Sequence, residues 1–322
     1  MNTLKLNKDT VYSAFYKYGL YLIFVLLVLI FTLFNRNFFS GANAVNLLQQ
    51  TASTGIAAAG LVFVLVAGGI DISMGSTIFF ASVIVTNLTN QGMGLFGAFA
   101  VAIACGVLVG AINGFFISVL RIVPLIMTLA TLYIVRGVAL AITGVQSLFF
   151  FNPVGDAVAY TRIGGVVPVV VLILGITLII VQVVLSRTLF GRQLYAIGNN
   201  RTGARIMGVK VKRNTFLTYV ISGGLAGLSG LVSGAQVGAI TPTFAEGQEF
   251  IIITATILGG VSLFGGKGKA FPGAFLGVLI VMCIENGLVM AGTNMYLYTI
   301  VRGIVIFLAV MLDCMQNKGE IR

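Results

Sequence analysis

Residues 94–120 read GLFGAFAVAIACGVLVGAINGFFISVL, a stretch without a single charged side chain. As an α-helix, with a rise of 1.5 Å per residue, a stretch of this length is about 40 Å long, whereas the hydrocarbon core of a bilayer is about 30 Å thick. The stretch is therefore long enough and apolar enough to cross a membrane, and it predicts a transmembrane helix.

The composition of the whole chain agrees with this prediction. Of 322 residues, 58% are apolar and 8% are charged, whereas soluble domains carry about 25% charged residues. So few polar groups cannot cover the surface of a soluble protein.

We predict an all-α polytopic membrane protein with about ten transmembrane helices in one bundle. The predicted spans are centred in Gly19–Phe34, Asn46–Ala67, Met74–Asn90, Gly94–Leu120, Pro124–Thr143, Gly164–Leu185, Thr215–Gly238, Phe250–Gly260, Phe271–Met290 and Tyr296–Leu312.

The basic residues indicate how the chain is oriented. With both termini inside, fifteen of the nineteen Lys and Arg residues fall on the cytoplasmic side, and only Arg36 and Arg162 fall outside. The positive-inside rule therefore selects N-in and C-in. Residues 1–17 become a cytoplasmic N-terminus and residues 187–213 a cytoplasmic loop, both within a single transmembrane domain spanning 1–322. The net charge of +11 follows from topology, and we expect no nucleic-acid partner.

Glycines recur at every fourth position in two of the predicted helices. Gly106, Gly110 and Gly114 form one such row, and Gly230, Gly234 and Gly238 form another. Small residues with this spacing allow helix backbones to approach closely in a membrane. The rows predict a compact bundle and a role in packing.

Several kinds of chemistry are excluded by the residues present. Histidine is absent, and the three cysteines are far apart in the sequence, so zinc sites, disulfide frameworks and Ser-His-Asp triads lose support. The stretch 260–268 looks like a phosphate-binding loop, but a glycine stands where that motif has its lysine. We therefore expect neither a cofactor nor a metal on this chain, and a membrane-embedded enzyme is the least favoured function.

Polar side chains mark the second and fourth predicted spans and the turn between the second and third. Asn46 and Gln50 share a helical face with residues 53 and 54, and Asn113 lies in the fourth span. Such a face suits either a polar pathway or hydrogen bonding between helices. Asp71 follows Gly68-Gly69-Ile70, where it could cap the next helix or contact a substrate.

Three ionisable residues, Arg136, Glu285 and Arg302, lie inside predicted spans. Each would cost about 3 kcal/mol if it were exposed to lipid. Counting residues from the span ends places all three in the outer half of the membrane. For an uncharged substrate we expect a structural Glu285–Arg302 ion pair, and for an anion Arg136 and Arg302 would become ligands.

The cytoplasmic loop 187–213 contains seven basic residues and no acidic ones, interspersed with apolar residues and glycines. Such a segment can fold into short helices that dock on another protein. It can also fix the orientation of the chain and be attracted to anionic lipid. The residues alone favour neither interpretation.

Several short motifs resemble, in order and over nearly the whole chain, the permease subunits of bacterial ABC importers for ribose, galactose and related simple sugars. They are Asn37-Phe38-Phe39, Gly69-Ile70-Asp71-Ile72-Ser73-Met74-Gly75-Ser76, Asn113-Gly114, Arg136-Gly137, the segment from Phe190 to Val209, the glycine-rich stretch 259–268, and the stretch 308–313.

The resemblance implies a permease in the bacterial inner membrane that dimerises with a second copy or a paralogue. It further implies a sugar delivered by an extracytoplasmic binding protein, and a cytoplasmic ABC ATPase that binds ATP and Mg²⁺. The loop matching Phe190–Gly208 would carry the helix that couples to the ATPase. We therefore assign Arg192, Asn199, Arg205 and Gly208 to coupling, and Asn46, Gln50, Asp71 and Asn113 to the substrate pathway or its gating.

Two departures and one alternative accompany this interpretation. The family usually has Glu-Ala-Ala where this chain has Arg201-Thr202-Gly203-Ala204. It also has Glu-Leu-Asp-Ala-Ile where this chain has residues 249–253, Glu-Phe-Ile-Ile-Ile.

The alternative function is an ATP-independent secondary carrier or channel. Only Asp71 and Glu285 could carry protons in or beside the spans, which is a small supply for a proton relay.

Overall fold

The computed structural model describes residues 8–294, 300–301, 303–308 and 310–311. It confirms an all-α membrane protein. The helices are α1 (Lys8–Phe34), α2 (Gly41–Val66), α3 (Met74–Asn90), α4 (Leu95–Ser118), α5 (Pro124–Thr143), α6 (Pro153–Ala159), α7 (Val169–Arg187), α8 (Leu189–Asn199), α9 (Arg201–Ile206), α10 (Val211–Val237), α11 (Gln248–Leu258) and α12 (Phe275–Met290).

Short irregular elements connect these helices. A 3₁₀ turn covers Arg36–Phe39, and a π-helical turn, Ala270–Ala274, precedes α12. Strands β1 (Leu148–Phe149) and β4 (Ala239–Ile240) pair antiparallel, with Leu148 opposite Ile240. Strands β2 (Arg162–Ile163) and β3 (Val167–Pro168) form a second antiparallel pair between α6 and α7.

The predicted spans correspond closely to these helices. Each of the first nine predicted spans coincides with one helix, and six helices in the described part of the chain are both long and apolar enough to cross a membrane. In the tenth predicted span, residues 300–301, 303–308 and 310–311 are helical. Its remaining residues, including Arg302, and the C-terminus lie outside the described residues.

The eighth predicted span is the exception, because its helix is too short to cross. Helix α11 has 11 residues, which corresponds to about 16 Å. It begins after Gly247, which has a φ of 75°, and ends at the Gly259-Gly260 turn. It is a half-helix that packs against α2 and α12, and broken helices of this kind are tolerated where protein surrounds them.

Helix α2 is the centre of the bundle. Its residues from Thr51 to Val66 are all buried, and it packs against α7, α10, α11 and α12. The sequence explains this position, because small residues such as Ala57, Ala58 and Gly60 leave room for neighbours on every side. Its outer part, before Thr51, carries the polar face predicted from the sequence.

Helices α4 and α10 cross where Gly106 and Gly110 of the first predicted row meet Gly223 of α10, whereas Gly230 of the second row packs against α3. A methyl group added at Gly106 would collide with the carbonyl oxygen of Gly223, and one added at Gly223 would collide with that of Gly106. Ser82 reinforces α10 from the other side, donating a 2.8 Å hydrogen bond to the carbonyl oxygen of Gly230. The two backbones therefore meet without intervening side chains.

We predict that Gly223→Ala lowers the free energy of unfolding by about 1–3 kcal/mol, because the added methyl forces the two helices apart. Thermal unfolding of the purified protein in detergent measures the effect. Gly175→Ala is the matched control, since Gly175 also lies in a helix but has open space around it. Equal melting temperatures for the two variants would contradict a close α4–α10 contact.

Candidate functional site

The outer half of the bundle contains an open cavity of about 700 Å³. The start of α2, the end of α10, the start of α11 and the segment after α6 form its walls, and α12 contributes Glu285. In the predicted orientation these parts face the extracytoplasmic side. The volume is within the range of about 300–1,000 Å³ that is typical of small-molecule sites.

The wall of the cavity is mainly amide and hydroxyl. Its polar side chains are Asn46, Gln49, Gln50, Ser53, Thr54, Tyr160, Arg162, Ser233, Gln236, Thr243, Glu246, Gln248 and Glu285. The predicted face of α2 at 46, 50, 53 and 54 is thus all present. The sequence analysis did not identify Tyr160, Gln236 or Gln248, because these residues lie in or beside loops where no helical spacing marks them.

Two hydrogen bonds fix α10 against the polar part of α2. Gln236 donates its Nε2 to the carbonyl oxygen of Gln49 over 2.8 Å, and Ser229 donates its hydroxyl to the carbonyl oxygen of Ser53 over 2.8 Å. The wall is therefore formed by helices in a fixed relation to one another. A solute with several hydroxyls could exchange its water hydrogen bonds for bonds to these amides and hydroxyls.

Asp71 and Asn113 lie elsewhere, in a buried network at the start of α3. The carboxylate of Asp71 accepts hydrogen bonds from the backbone N–H of Ser73 (3.0 Å) and from its hydroxyl (2.6 Å). Asn113 donates to the Ser73 hydroxyl over 2.9 Å and accepts from the hydroxyl of Thr131 over 2.6 Å. The network joins the α2–α3 connection to α4 and α5, and these residues do not line the cavity.

Arg136 is held by backbone and an aromatic ring. Its guanidinium nitrogens donate to the carbonyl oxygens of Pro242 (3.4 Å) and Phe244 (3.3 Å), and it lies 5.1 Å from the centre of the Phe79 ring. It thereby fixes the loop between α10 and α11 that forms part of the cavity wall. Arg302 lies outside the described residues, so the Glu285–Arg302 pair stays a prediction.

At the opposite end of the bundle, the predicted cytoplasmic loop folds into α8 and α9. Asn200 lies between the two helices, and its side chain accepts from the N–H of Gly203 over 2.8 Å to cap α9. Gly208 ends α9 with a φ of 82°, a backbone conformation that glycine adopts at no steric cost. This explains the glycine at 208 by local geometry.

The two faces of α8 differ in character. Gly191, Leu194 and Ile197 are buried against the bundle, which is the three-residue spacing of an amphipathic helix. The four residues assigned to coupling, Arg192, Asn199, Arg205 and Gly208, are all exposed. Beside them, Ile206 and Met207 are 82% and 73% exposed, so the segment presents apolar and basic groups together.

The end of α8 contacts the inner end of α2 directly. A methyl group added at Gly198 would collide with the carbonyl oxygen of Val66 and with the backbone nitrogen of Gly266. Gly266 donates its N–H to that same Val66 oxygen over 2.9 Å. The Tyr195 hydroxyl donates to the carbonyl oxygen of Gly268 over 2.7 Å. Burial raises the pKa of Tyr195, which keeps this hydroxyl protonated as a donor.

We call this contact the α8–α2 junction, formed by Val66, Tyr195, Gly198, Gly266 and Gly268. A single helix, α2, thus joins the junction at its inner end to the cavity at its outer end.

A family described as the permease component of branched-chain amino acid transport systems matches residues 43–310. The chain belongs to this permease family. Its matched region begins at the start of α2, so it contains the cavity face, the buried Asp71 network and the cytoplasmic segment together. The sequence resemblance to permeases of ABC importers is thereby confirmed at the level of the family.

Relatives of this permease are named for sugar transport. The ribose import permease protein RbsC of Bacillus subtilis is 36% identical over 303 residues, covering 92% of each chain. The D-allose and L-arabinose permease proteins AlsC and AraH of Escherichia coli K12 are 34% and 33% identical, with at least 92% of each chain covered. No solved structure matches the permease significantly.

Proposed function

We propose that this permease is the transmembrane subunit of an ATP-driven ABC importer that moves a simple sugar or a sugar-like solute by alternating access. The observation that carries the proposal is the arrangement on α2. A polar cavity opens at its outer end, and an exposed basic segment docks at its inner end. An element that carries both features can link a motion driven from the cytoplasm to the cavity.

The solute class follows from the cavity and from the relatives. The wall offers side-chain amides at 46, 49, 50, 236 and 248, together with the ring of Tyr160. Amides both donate and accept, as hydroxyl-rich solutes require, and an aromatic ring can cover the apolar face of a sugar. Relatives named for ribose, allose and arabinose support the same class.

In the proposed cycle, the exposed side chains of α8 and α9 bind a cytoplasmic ABC ATPase that supplies ATP and Mg²⁺ binding. ATPase closure displaces α8, and the α8–α2 junction passes the displacement to α2. The buried network of Asp71 and Asn113 then acts in gating, because it ties the inner connection of α2 to α4 and α5. No covalent chemistry takes place on this chain.

The proposal includes further partners. An extracytoplasmic sugar-binding protein delivers the solute to the open side of the cavity, and a second permease copy or a paralogue completes the dimer. The assembly lies in the bacterial inner membrane, with membrane lipid around it. The six long apolar helices support multi-pass insertion, and the basic cytoplasmic residues support the orientation.

We predict that replacing the exposed residues Arg192, Asn199 and Arg205 with serine abolishes ATP-driven uptake while the bundle stays folded, because the coupling groups are lost and the buried residues of α8 and α9 are kept. Proteoliposomes containing the permease, its co-purified ATPase and the binding protein measure uptake and ATP hydrolysis together. Gly137→Ala, in open space on α5, is the control. Coupled uptake by the replaced variant, or solute uptake without ATP by the permease alone, would contradict the proposal and favour a secondary carrier.

We predict that Gln50→Ala raises the KM for sugar uptake about tenfold, because a lost hydrogen bond to a solute in a site is worth about 1–1.5 kcal/mol. Uptake kinetics at saturating binding protein give KM and kcat separately. Gln91→Ala, an exposed glutamine after α3, is the matched control. An unchanged KM in Gln50→Ala would remove α2 from the solute pathway.

A further inference from the structure

A second cavity, of about 680 Å³, opens on the predicted cytoplasmic side. It lies between the connection that joins α4 to α5 and the connection that joins α9 to α10. We call it the basic cavity because six of its lining residues are cationic: Arg121, Arg201, Arg205, Lys210, Lys212 and Arg213. The cavity in the outer half of the bundle shares none of these residues.

No acidic side chain lines the basic cavity among the residues that the structure describes. Six like charges around one concave space repel one another, and a concave wall of low polarity concentrates their potential. The arrangement is stabilised when an anion enters. Arg121 also has a φ of 60°, a backbone conformation that non-glycine residues adopt rarely.

Two helices begin at the basic cavity and add to its positive potential. Val123 and Pro124, at the start of α5, line it, and so do Lys210 and Val211, at the start of α10. Neither N-cap residue, Val123 or Lys210, makes a side-chain hydrogen bond that caps its helix. Pro124 has no backbone N–H and that of Val211 donates to the carbonyl oxygen of Val209 over 2.8 Å, so these helix ends act through the positive end of each helix dipole.

Ser118 gives an independent indication of a ligand. It lines the basic cavity, is only 2% exposed, and its hydroxyl oxygen is buried without a hydrogen-bond partner. Buried hydroxyls nearly always have a partner, because an unsatisfied one destabilises the fold. A serine hydroxyl is a common donor to phosphate oxygens.

We propose that the basic cavity is a binding site for a phosphate-bearing anion, held by Arg121, Lys212 and the Ser118 hydroxyl. The phosphate belongs either to an anionic phospholipid headgroup or to a soluble phosphate compound, and the protein chemistry is the same for both. The exposed apolar residues Leu125 and Ile126 beside the cavity provide a surface for acyl chains. The occupant would join the α4–α5 connection to Arg205 on α9, and so stabilise the coupling segment.

The test uses the full-length permease alone, in nanodiscs of zwitterionic lipid, so that it is independent of transport. Two probes are titrated separately: dioctanoyl phosphatidylglycerol and inorganic pyrophosphate. Kd and the thermal shift are measured for each. The variants are Arg121→Gln/Lys212→Gln and Ser118→Ala. The matched control, Arg187→Gln/Lys269→Gln, removes the same charge from cytoplasmic positions that do not line the cavity.

We expect saturable binding of at least one probe, weakened more than tenfold in the double variant and about tenfold in Ser118→Ala, because a hydrogen bond to a charged group is worth about 1.5 kcal/mol. The Kd of the control should stay within about twofold of that of the parent protein.

Preference for the lipid probe identifies a membrane headgroup, and preference for pyrophosphate identifies a soluble ligand. Failure of both probes to bind, or equal losses in control and double variant, would overturn the proposal. Occupation of the cavity by an acidic surface of the ATPase would overturn it too.

Discussion

The structure depends on the close contact between the end of α8 and the inner end of α2. At Gly198 there is no side chain, so the helix backbone lies directly against the carbonyl oxygen of Val66 and the N–H of Gly266. Contacts between backbones cannot rearrange by changing rotamers, unlike contacts between side chains. In the proposed cycle, a displacement of α8 would therefore be passed to α2 and to the 259–268 turn.

Helix α2 is suited to carry such a displacement across the membrane. Its buried part is surrounded by α7, α10, α11 and α12, and in the proposed cycle it would move as one unit against these neighbours. Its outer part forms the amide wall of the cavity, and the short helix α11 begins beside that wall. The network around Asp71 fixes the connection that follows α2. A motion at the cytoplasmic end can thus reach the cavity through a single element.

The sequence predicted those features that depend on local chemistry. Apolar stretches predicted nine helices at the observed places, the glycine row at 106–114 predicted a site of close helix packing, and the 46–50–53–54 spacing predicted one wall of the cavity. The other wall was not predictable, because Tyr160, Gln236 and Gln248 come together only when distant loops fold. The same limit separated Asp71 and Asn113 from the cavity, since their positions follow from the packing of α3, α4 and α5. The half-length of α11 follows from its flanking glycines.

The most direct test of this account is the ratio of sugar molecules imported to ATP molecules hydrolysed by the Gly198→Ala variant in proteoliposomes, with Gly175→Ala as the control in open space. Sugar binding and ATPase co-purification are measured on the same samples. The account predicts that both are retained while the ratio falls about tenfold, within the range typical of coupling free energies between sites. A variant that keeps the wild-type ratio would show that α8 does not drive α2, and would contradict the central claim.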